Sequence, residues 1–309
     1  MNNKLVSHLL DSADPAVRAK AVEAAALARR WARPVQQELS DKVYDTLAAT
    51  VCVIAPELGV ADHALLVEYS LWLYLLDGRL DDCERYGTRP EDVGRRVIAV
   101  LRGGRAEARA GDFFETSLAA LVEELRRRDG CCGLLERFVL RLVDGVRAGV
   151  RQAVLSRRIA EGTEPLPTME DFLELAYRHV NYRSVALALL ITVGEHPDSA
   201  AQERLDAALV PASRAVRLAN DLRTWAKDAE EGTLNVVQLV ARDGTRMTPH
   251  AVRDRIQAYR DEQALLLGEL HRSAPASAAA LESNLRVAID LYTVDDLQFD
   301  LPDAEQVAG

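Results

Sequence analysis

Apolar residues recur at helical spacing along most of the chain, and no segment alternates between apolar and polar residues as a strand would. Alanine, leucine, arginine and glutamate, which favour helices, are abundant, whereas aromatic residues make up only 5% of the chain. Prolines and glycines divide the pattern into ten or more helical segments. Those that bear on function run from about 61 to 84, 168 to 193, 211 to 230 and 234 to 242. The sequence therefore predicts an all-α fold.

Nothing in the pattern separates the helices into two groups. No linker divides the chain into halves, and no repeat of fixed period is present. A chain of 309 residues is long enough to bury a sizeable core. We therefore expect a single domain over residues 1–309. We expect its end, from about residue 293, to be a solvated, disordered tail containing Asp295, Asp296 and Asp300.

Composition narrows the class of protein further. Hydrophobic residues make up 49% and charged residues 28%, which is typical of a soluble globular protein. The formal net charge of −10 argues against a nucleic-acid-binding protein. No run of 18 or more apolar residues is present, so we expect no membrane span. The four cysteines lack zinc-ligand spacing and the N-terminus lacks the apolar core of a signal peptide, which together favour a cytoplasmic location.

A stripe of oxygen-bearing side chains lies in the predicted helix 211–230. Asn220, Thr224 and Asp228 follow one another at intervals of four residues, so a helix places them on one narrow face. An amide oxygen, a hydroxyl and a carboxylate are suitable ligands for Mg²⁺. Lys227 falls on nearly the same side, where it could hold an anion beside the metal. This stripe is the most specific signal in the sequence.

An acidic cluster ends the predicted helix 61–84. Asp77 and Asp81 are four residues apart and share a face, and Ser70, Leu73 and Tyr74 continue that face towards the N-terminal end as a candidate pocket lining. The simpler interpretation is a core helix whose end emerges into solvent. Carboxylates at a helix C-terminus nevertheless have the wrong sign for the helix dipole, which indicates that a cation belongs there.

Taken together, the two clusters resemble the metal-binding motifs of class I terpene synthases. In that family the first motif reads DDxxD and the second reads (N/D)DxxSxxxE. The segment from Asp77 to Asp81 reads DGRLD, with Gly78 in place of the second aspartate. The segment from Asn220 to Asp228 reads NDLRTWAKD, with threonine for serine and aspartate for glutamate. The motifs lie about 140 residues apart, much as in small bacterial members of the family.

The resemblance also implies roles for the segment before the second motif. Members usually carry an arginine some 40-odd residues upstream that senses the diphosphate, closely followed by a break in the helix. Arg178 takes that position, Asn181 matches the linker residue, and Tyr182 matches the effector residue whose carbonyl faces the cation. Arg183 is a competing candidate for the sensor at a poorer spacing. The Arg-Tyr pair common near the C-terminus of members is absent.

The reaction that the resemblance implies is the Mg²⁺-dependent ionisation of a prenyl diphosphate inside a helical bundle around a central cavity. It implies several metal ions, three in our prediction, bound by Asp77, Asp81, Asn220, Thr224 and Asp228, with Arg178 and Lys227 binding the diphosphate. We expect a C20 substrate: geranylgeranyl diphosphate, or a bicyclic diphosphate supplied by a class II cyclase. A homodimer is also expected from the family. The chain itself lacks the DxDD motif of class II cyclases.

Two other classes of function remain open from the sequence. A prenyltransferase of related fold normally has a second aspartate-rich motif, which is absent here, and it would consume isopentenyl diphosphate. A non-catalytic all-α interaction protein would carry the acidic clusters only as surface charge. Such a protein would release no diphosphate in the presence of Mg²⁺.

Overall fold

The computed structural model of the chain describes residues 4–11, 13–83, 85–103, 112–129 and 133–294. Within these ranges the chain forms α-helices, two short 3-10 helices at Arg33–Glu38 and Val236–Gln238, and one isolated antiparallel bridge between Val240 and Arg246. The predicted all-α fold is confirmed. The predicted tail lies outside these ranges from residue 295 onwards. The helices are α1 (Lys4–Leu10), α2 (Pro15–Trp31), α3 (Asp41–Ile54), α4 (Val60–Asp81), α5 (Pro90–Gly103), α6 (Phe113–Asp129), α7 (Leu134–Ala160), α8 (Met169–His179), α9 (Tyr182–Val193), α10 (Ser199–Glu231), α11 (Pro249–Ser273) and α12 (Pro275–Val294).

The helix α4 is buried along most of its length because α2, α3, α6, α7 and α9 pack around it. The indole of Trp72 is fully buried, stacks on Phe114, and donates from Nε1 to the Phe114 carbonyl at 2.9 Å. The burial of large aromatic side chains with their polar atoms paired makes such a contact strongly stabilising. The first acidic cluster therefore stands at the end of a rigid, central helix.

Two glycines in α7 let the α8–α9 region approach closely. A Cβ atom at Gly145 would lie 2.1 Å from Asn181 Oδ1, and one at Gly149 would lie 2.8 Å from both Leu80 and His179. Any larger residue at either position would have to displace these neighbours. Because Gly145 and Gly149 are four residues apart, they share one face of α7, and that face receives the junction between α8 and α9.

The junction of α8 and α9 corrects the prediction of one continuous helix from 168 to 193. The helix stops at His179 and restarts at Tyr182, because Asn181 takes a left-handed conformation with φ of 56°. Asparagine tolerates this region because its side chain can bond to nearby backbone. Here Asn181 Nδ2 donates to the His179 carbonyl at 2.7 Å. The break agrees with the one that the family resemblance implied.

Two further boundaries differ from the predictions. The helix predicted from 211 begins instead at Ser199, capped by Asp198, and Pro211 lies inside α10. Proline costs a helix one hydrogen bond, but Leu205 and Leu209 are fully buried on this segment and their packing outweighs the local penalty. The helix predicted at 234–242 is only the 3-10 helix Val236–Gln238, followed by the isolated bridge. None of the described helices is long and apolar enough to cross a membrane.

Candidate active site

The first acidic cluster occupies the last turns of α4, where that helix emerges from the core. Asp77 is about half exposed and Asp81 is exposed. Gly78 stands between them on another face, where its nearest neighbour is the Tyr86 hydroxyl, 3.9 Å from a Cβ placed there. Packing therefore does not require glycine at this position. Of the candidate lining residues, Leu73 is buried, whereas Ser70 and Tyr74 are half-buried. The Ser70 hydroxyl donates to the backbone carbonyl four residues earlier in the same helix.

His179 lies against the first cluster, which the sequence did not indicate. Its Nε2 atom is 3.4 Å from Asp77 Oδ1, and both atoms are buried without a hydrogen-bond partner among the described residues. Its Nδ1 atom lies 3.1 Å from Gln152 Oε1 on α7. The His179 ring is therefore packed at the end of α8 against α4 and α7. A carboxylate oxygen buried without a donor is a natural ligand for a cation.

The second motif lies on α10, where the helix presents Thr224 and Asp228 inward. Both side chains are buried, whereas Asn220 is half-buried. Thr224 Oγ1 donates to Asp228 Oδ2 at 2.7 Å, so the hydroxyl and the carboxylate predicted from the four-residue spacing do meet. Lys227 is exposed. On the predicted face of α10, the Asp228 carboxylate is therefore buried, whereas Lys227 is accessible to solvent.

Asn235 completes the polar network around Asp228, and the sequence did not single it out. It follows α10 in the turn before the 3-10 helix and is fully buried. Its Nδ2 atom donates to Asp228 Oδ2 at 2.7 Å and to the Asp221 carbonyl at 2.8 Å. The only hint in the sequence was an asparagine just before an apolar run, where it caps the 3-10 helix by accepting from the Val237 amide at 2.9 Å.

The adjacent Asp221 has a structural role in the same turn. Its fully buried carboxylate pairs with Arg217 at 2.7 Å and accepts from the Val236 amide at 3.1 Å. Burial raises the pKa of Asp221 above its ordinary value, and the neighbouring Arg217 opposes that effect. These contacts hold the segment after α10 against the face that carries Thr224 and Asp228.

The donor set of the second motif fits a small divalent cation. Octahedral Mg²⁺ with bonds of about 2.1 Å requires neighbouring ligand oxygens about 3 Å apart. The 2.7 Å hydrogen bond from Thr224 Oγ1 to Asp228 Oδ2 keeps the hydroxyl oxygen beside this carboxylate, whose other oxygen, Oδ1, is the candidate neighbouring ligand. Within the described ranges, no group of three or more His, Cys, Asp and Glu side chains is placed to hold a metal ion. A metal at this motif would therefore depend on the amide and hydroxyl of Asn220 and Thr224 as well as on the carboxylate.

Arg178, the predicted diphosphate sensor, lies at the end of α8 and is about half exposed. Its Nε donates to the Tyr177 hydroxyl at 3.2 Å, and its guanidinium group is 3.9 Å from Glu174. Arg214 on α10 binds the same Glu174 and lies over the same Tyr177 ring. The contact between Arg178 and Glu174 is loose, which leaves the guanidinium group available to an anion.

Arg183, the competing candidate, is buried in an ionic cluster. Its Nη2 atom donates to Asp206 Oδ1 at 3.2 Å, and Arg141 binds both oxygens of the same carboxylate. Burial and the nearby Arg141 charge lower the pKa of Arg183 below its ordinary value. Of the two arginines, Arg178 is the more accessible to a ligand.

Tyr182 and Asn181 are both buried at the start of α9. Burial raises the pKa of Tyr182, so its hydroxyl stays neutral, and the side chain of Gln263 on α11 is its polar neighbour. The helix α9, which begins at this junction, packs against both α4 and α10, the two helices that bear the motifs. The tertiary structure thus links three regions that are far apart in the sequence.

Two surface cavities form elsewhere. One, of about 530 Å³, is lined by residues of α1, α2, α3 and α12, and the other, of about 360 Å³, lies mainly along α7. Neither is lined by any of the predicted site residues. The central cavity around the motifs therefore stays a prediction.

Solved structures with a similar fold include several terpene synthases. Linalool/nerolidol synthase from Streptomyces clavuligerus, in complex with 2-fluorogeranyl diphosphate, is 21% identical, with a TM-score of 0.73 over 88% of this chain and 94% of its own. Aristolochene synthase from Penicillium roqueforti is 16% identical, with a TM-score of 0.59 over 90% of this chain and 93% of its own. Abietadiene synthase from Abies grandis is 15% identical, with a TM-score of 0.64 over 94% of this chain and 39% of its own.

At these identities the structural likeness shows the fold alone. No match is found among curated proteins. A family model described as terpene synthase family 2, C-terminal metal binding, matches residues 68–264, a span that includes both motifs and the α8–α9 junction. Since that span is more than half of the chain, this protein belongs to the terpene synthase family 2.

Proposed function

We propose that this protein is a Mg²⁺-dependent class I terpene synthase that ionises a prenyl diphosphate and releases inorganic diphosphate. The observation that carries the proposal is the second motif on α10. There a buried carboxylate, Asp228, lies 2.7 Å from the hydroxyl of Thr224 on the same helix face. A buried carboxylate is costly unless it is paired, and the Thr224 hydroxyl beside it offers a second oxygen of the kind that Mg²⁺ binds.

The proposed roles follow from where each side chain lies. Asn220, Thr224 and Asp228 would hold Mg²⁺ at the second motif, while Asp77 and Asp81 would hold it at the exposed end of α4. When bound, the metal supplies Lewis-acid stabilisation of the charge that develops on the departing diphosphate. Arg178 and Lys227 would bind the diphosphate oxygens, a task suited to the forked donors of a guanidinium group.

The α8–α9 junction is the proposed boundary between the diphosphate and the hydrocarbon chain. Arg178 lies before the break, whereas Asn181 forms the break and Tyr182 follows it, and the side chains of Asn181 and Tyr182 are buried. We propose that the break lets one segment serve both regions, with Asn181 fixing the geometry and the backbone of Tyr182 near the cation. The buried apolar residues of α9 would exclude water, which would otherwise quench a carbocation.

The length of the prenyl chain is the finer part of the proposal. We favour a C20 substrate, either geranylgeranyl diphosphate or a bicyclic diphosphate made by a class II cyclase, because only 5% of residues are aromatic and a largely aliphatic pocket follows. The Streptomyces clavuligerus enzyme was solved with 2-fluorogeranyl diphosphate. Shorter prenyl diphosphates therefore belong in the same assay.

The test is incubation with C10, C15 and C20 prenyl diphosphates, with Mg²⁺ or with a chelator. Inorganic diphosphate release and gas chromatography of extracted products are the readouts. We expect Mg²⁺-dependent turnover of at least one substrate. Asn220→Ala should lower turnover about 100-fold, which corresponds to about 2.7 kcal/mol of lost metal-assisted stabilisation.

The matched control is Asp254→Ala, which removes an exposed carboxylate on α11 far from either motif in the sequence. It should keep wild-type turnover. Absence of diphosphate release from every substrate would overturn the proposal. Consumption of isopentenyl diphosphate would instead identify a prenyltransferase, and full activity of Arg178→Ala beside an inactive Arg183→Ala would reverse the sensor assignment.

A further inference from the structure

We infer that Asn235 is a positioning residue for the metal-binding carboxylate Asp228, an inference that rests on the proposed function of that site. Asn235 belongs to neither motif and lies after the end of α10. It is fully buried and uses both atoms of its amide. Such complete use of a buried amide indicates a defined task, because each unpaired polar atom would cost free energy.

The geometry shows which oxygen of Asp228 is held. Asp228 Oδ2 accepts from Asn235 Nδ2 at 2.7 Å and from Thr224 Oγ1 at 2.7 Å. Two donors at that distance saturate one carboxylate oxygen, so Oδ1 is the oxygen left to face a cation. The arrangement points to monodentate coordination by Asp228, with the Thr224 oxygen beside it.

The second contact of the amide fixes Asn235 itself. Nδ2 also donates to the Asp221 carbonyl at 2.8 Å, and Oδ1 accepts from the Val237 amide at 2.9 Å. The side chain therefore cannot rotate without breaking bonds at both ends. The fixed Asn235 side chain in turn restricts the Asp228 carboxylate. Metal binding therefore does not have to pay the entropy cost of immobilising that carboxylate.

Positioning Asp228 is a different role from simply attaching the turn to α10. The same turn is also held by Gln238, whose Nε2 donates to the Trp225 carbonyl on α10 at 3.0 Å. Like Asn235, Gln238 thus uses its side-chain amide to bond the turn to α10. Unlike Asn235, it contacts no proposed metal ligand. Gln238→Ala is therefore a control for the loss of a tether without the loss of carboxylate positioning.

The main test variant is Asn235→Ser. Serine keeps an oxygen that can accept from the Val237 amide, as at a helix N-cap, but its shorter side chain lacks the amide nitrogen that donates to Asp228. Asn235→Thr does the same and fills more of the space. The readout is the thermal unfolding midpoint as Mg²⁺ is titrated at fixed inorganic diphosphate, which gives the half-saturating Mg²⁺ concentration without any turnover.

We expect Asn235→Ser to need about 10–100 times more Mg²⁺ than the wild type, the usual effect of losing a hydrogen-bond partner of a metal ligand. Gln238→Ala should match the wild type. A wild-type half-saturation in Asn235→Ser, or an equal shift in Gln238→Ala, would overturn the inference. If neither Asn235→Ser nor Asn235→Thr folds, Asn235 is a folding residue and the inference is also wrong.

The assay distinguishes this inference from the proposed function. If the wild type shows a Mg²⁺-dependent rise in midpoint but no product from any prenyl diphosphate, the proposed function fails, while Asn235→Ser still decides the positioning role. If the wild type shows no Mg²⁺-dependent rise at all, the inference about Asn235 fails even where diphosphate release is observed.

Discussion

Replacing Gly145 with alanine should destabilise the protein, although alanine favours a helix more than glycine does. Gly145 lies within α7, against the break between α8 and α9. The added Cβ atom would lie 2.1 Å from Asn181 Oδ1 and 3.2 Å from the backbone carbonyl oxygen of Arg178. The first distance is impossible for two non-bonded atoms, so the Asn181 side chain must move. The second leaves the backbone little room to yield.

The magnitude follows from three contributions. Forcing an extra methyl group into a packed region costs about 1–3 kcal/mol. Displacing Asn181 also breaks the bond from its Nδ2 to the His179 carbonyl, at about 1 kcal/mol. Alanine returns about 1 kcal/mol through its higher helix propensity. We therefore expect the free energy of unfolding to fall by about 1–3 kcal/mol.

The assay is urea unfolding of the wild type and variant under the same conditions, read as a change in midpoint at constant slope. Gly268→Ala is the matched control, since Gly268 is exposed within α11 and a Cβ there meets nothing within 4 Å. That substitution should raise the free energy of unfolding by about 0.5–1 kcal/mol. The same change of residue thus has opposite expected signs at the two sites.

A Gly145→Ala variant as stable as the wild type, beside a Gly268→Ala variant stabilised as expected, would contradict this prediction. Such a result would mean that the α8–α9 break does not press on α7. The account of Asn181 as a buried, fixed residue of the junction would then fail as well.

Two other perturbations test the charges of the fold. Burial, with the nearby Glu124, raises the pKa of Glu68 from its ordinary 4.5 to about 7, so the stability gained from a protonated Glu68 is complete below pH 4.5 and lost as pH rises through 7. Glu68→Gln should remove roughly 2–3 kcal/mol of that pH dependence, measured by urea unfolding from pH 4.5 to 8, and an unchanged profile would contradict it. Arg183→Met should lower the free energy of unfolding by about 1–3 kcal/mol, because Asp206 loses a buried partner but keeps Arg141. Arg178→Met should change the free energy of unfolding by less than about 0.5 kcal/mol, while weakening the binding of inorganic diphosphate measured by calorimetry. Equal destabilisation by Arg183→Met and Arg178→Met would contradict the assignment of Arg183 as buried and paired and of Arg178 as accessible.

Local periodicity was sufficient to predict most of the helices and the two polar stripes. Thr224 and Asp228 meet because residues four apart on a helix are neighbours, whatever the rest of the chain does. The same rule places Asp77 and Asp81 on one face of α4. The prediction that a helix starts at Pro211 was wrong. Pro211 lies inside α10, because buried leucines outweigh the preference of proline for a helix start.

Contacts made across turns or between helices could not be predicted from the sequence. His179 reaches Asp77 about a hundred residues earlier in the chain, and nothing in the local pattern records that contact. Asn235 is only seven residues from Asp228, yet they meet because Gly232 ends α10 with a positive φ of 68° and the chain folds back. Both contacts depend on the path of the backbone between the residues.

The sequence by itself determined the all-α class, the stripe on α10 and the acidic end of α4, because each depends on residues within a few turns of one helix. Only the tertiary structure decided that Arg183 is engaged in a buried ion pair while Arg178 remains accessible. It also decided that Asn235 holds Asp228 and that His179 lies against Asp77. Burial and pairing depend on which helices pack together, and that is settled by long-range contacts rather than by spacing along the chain.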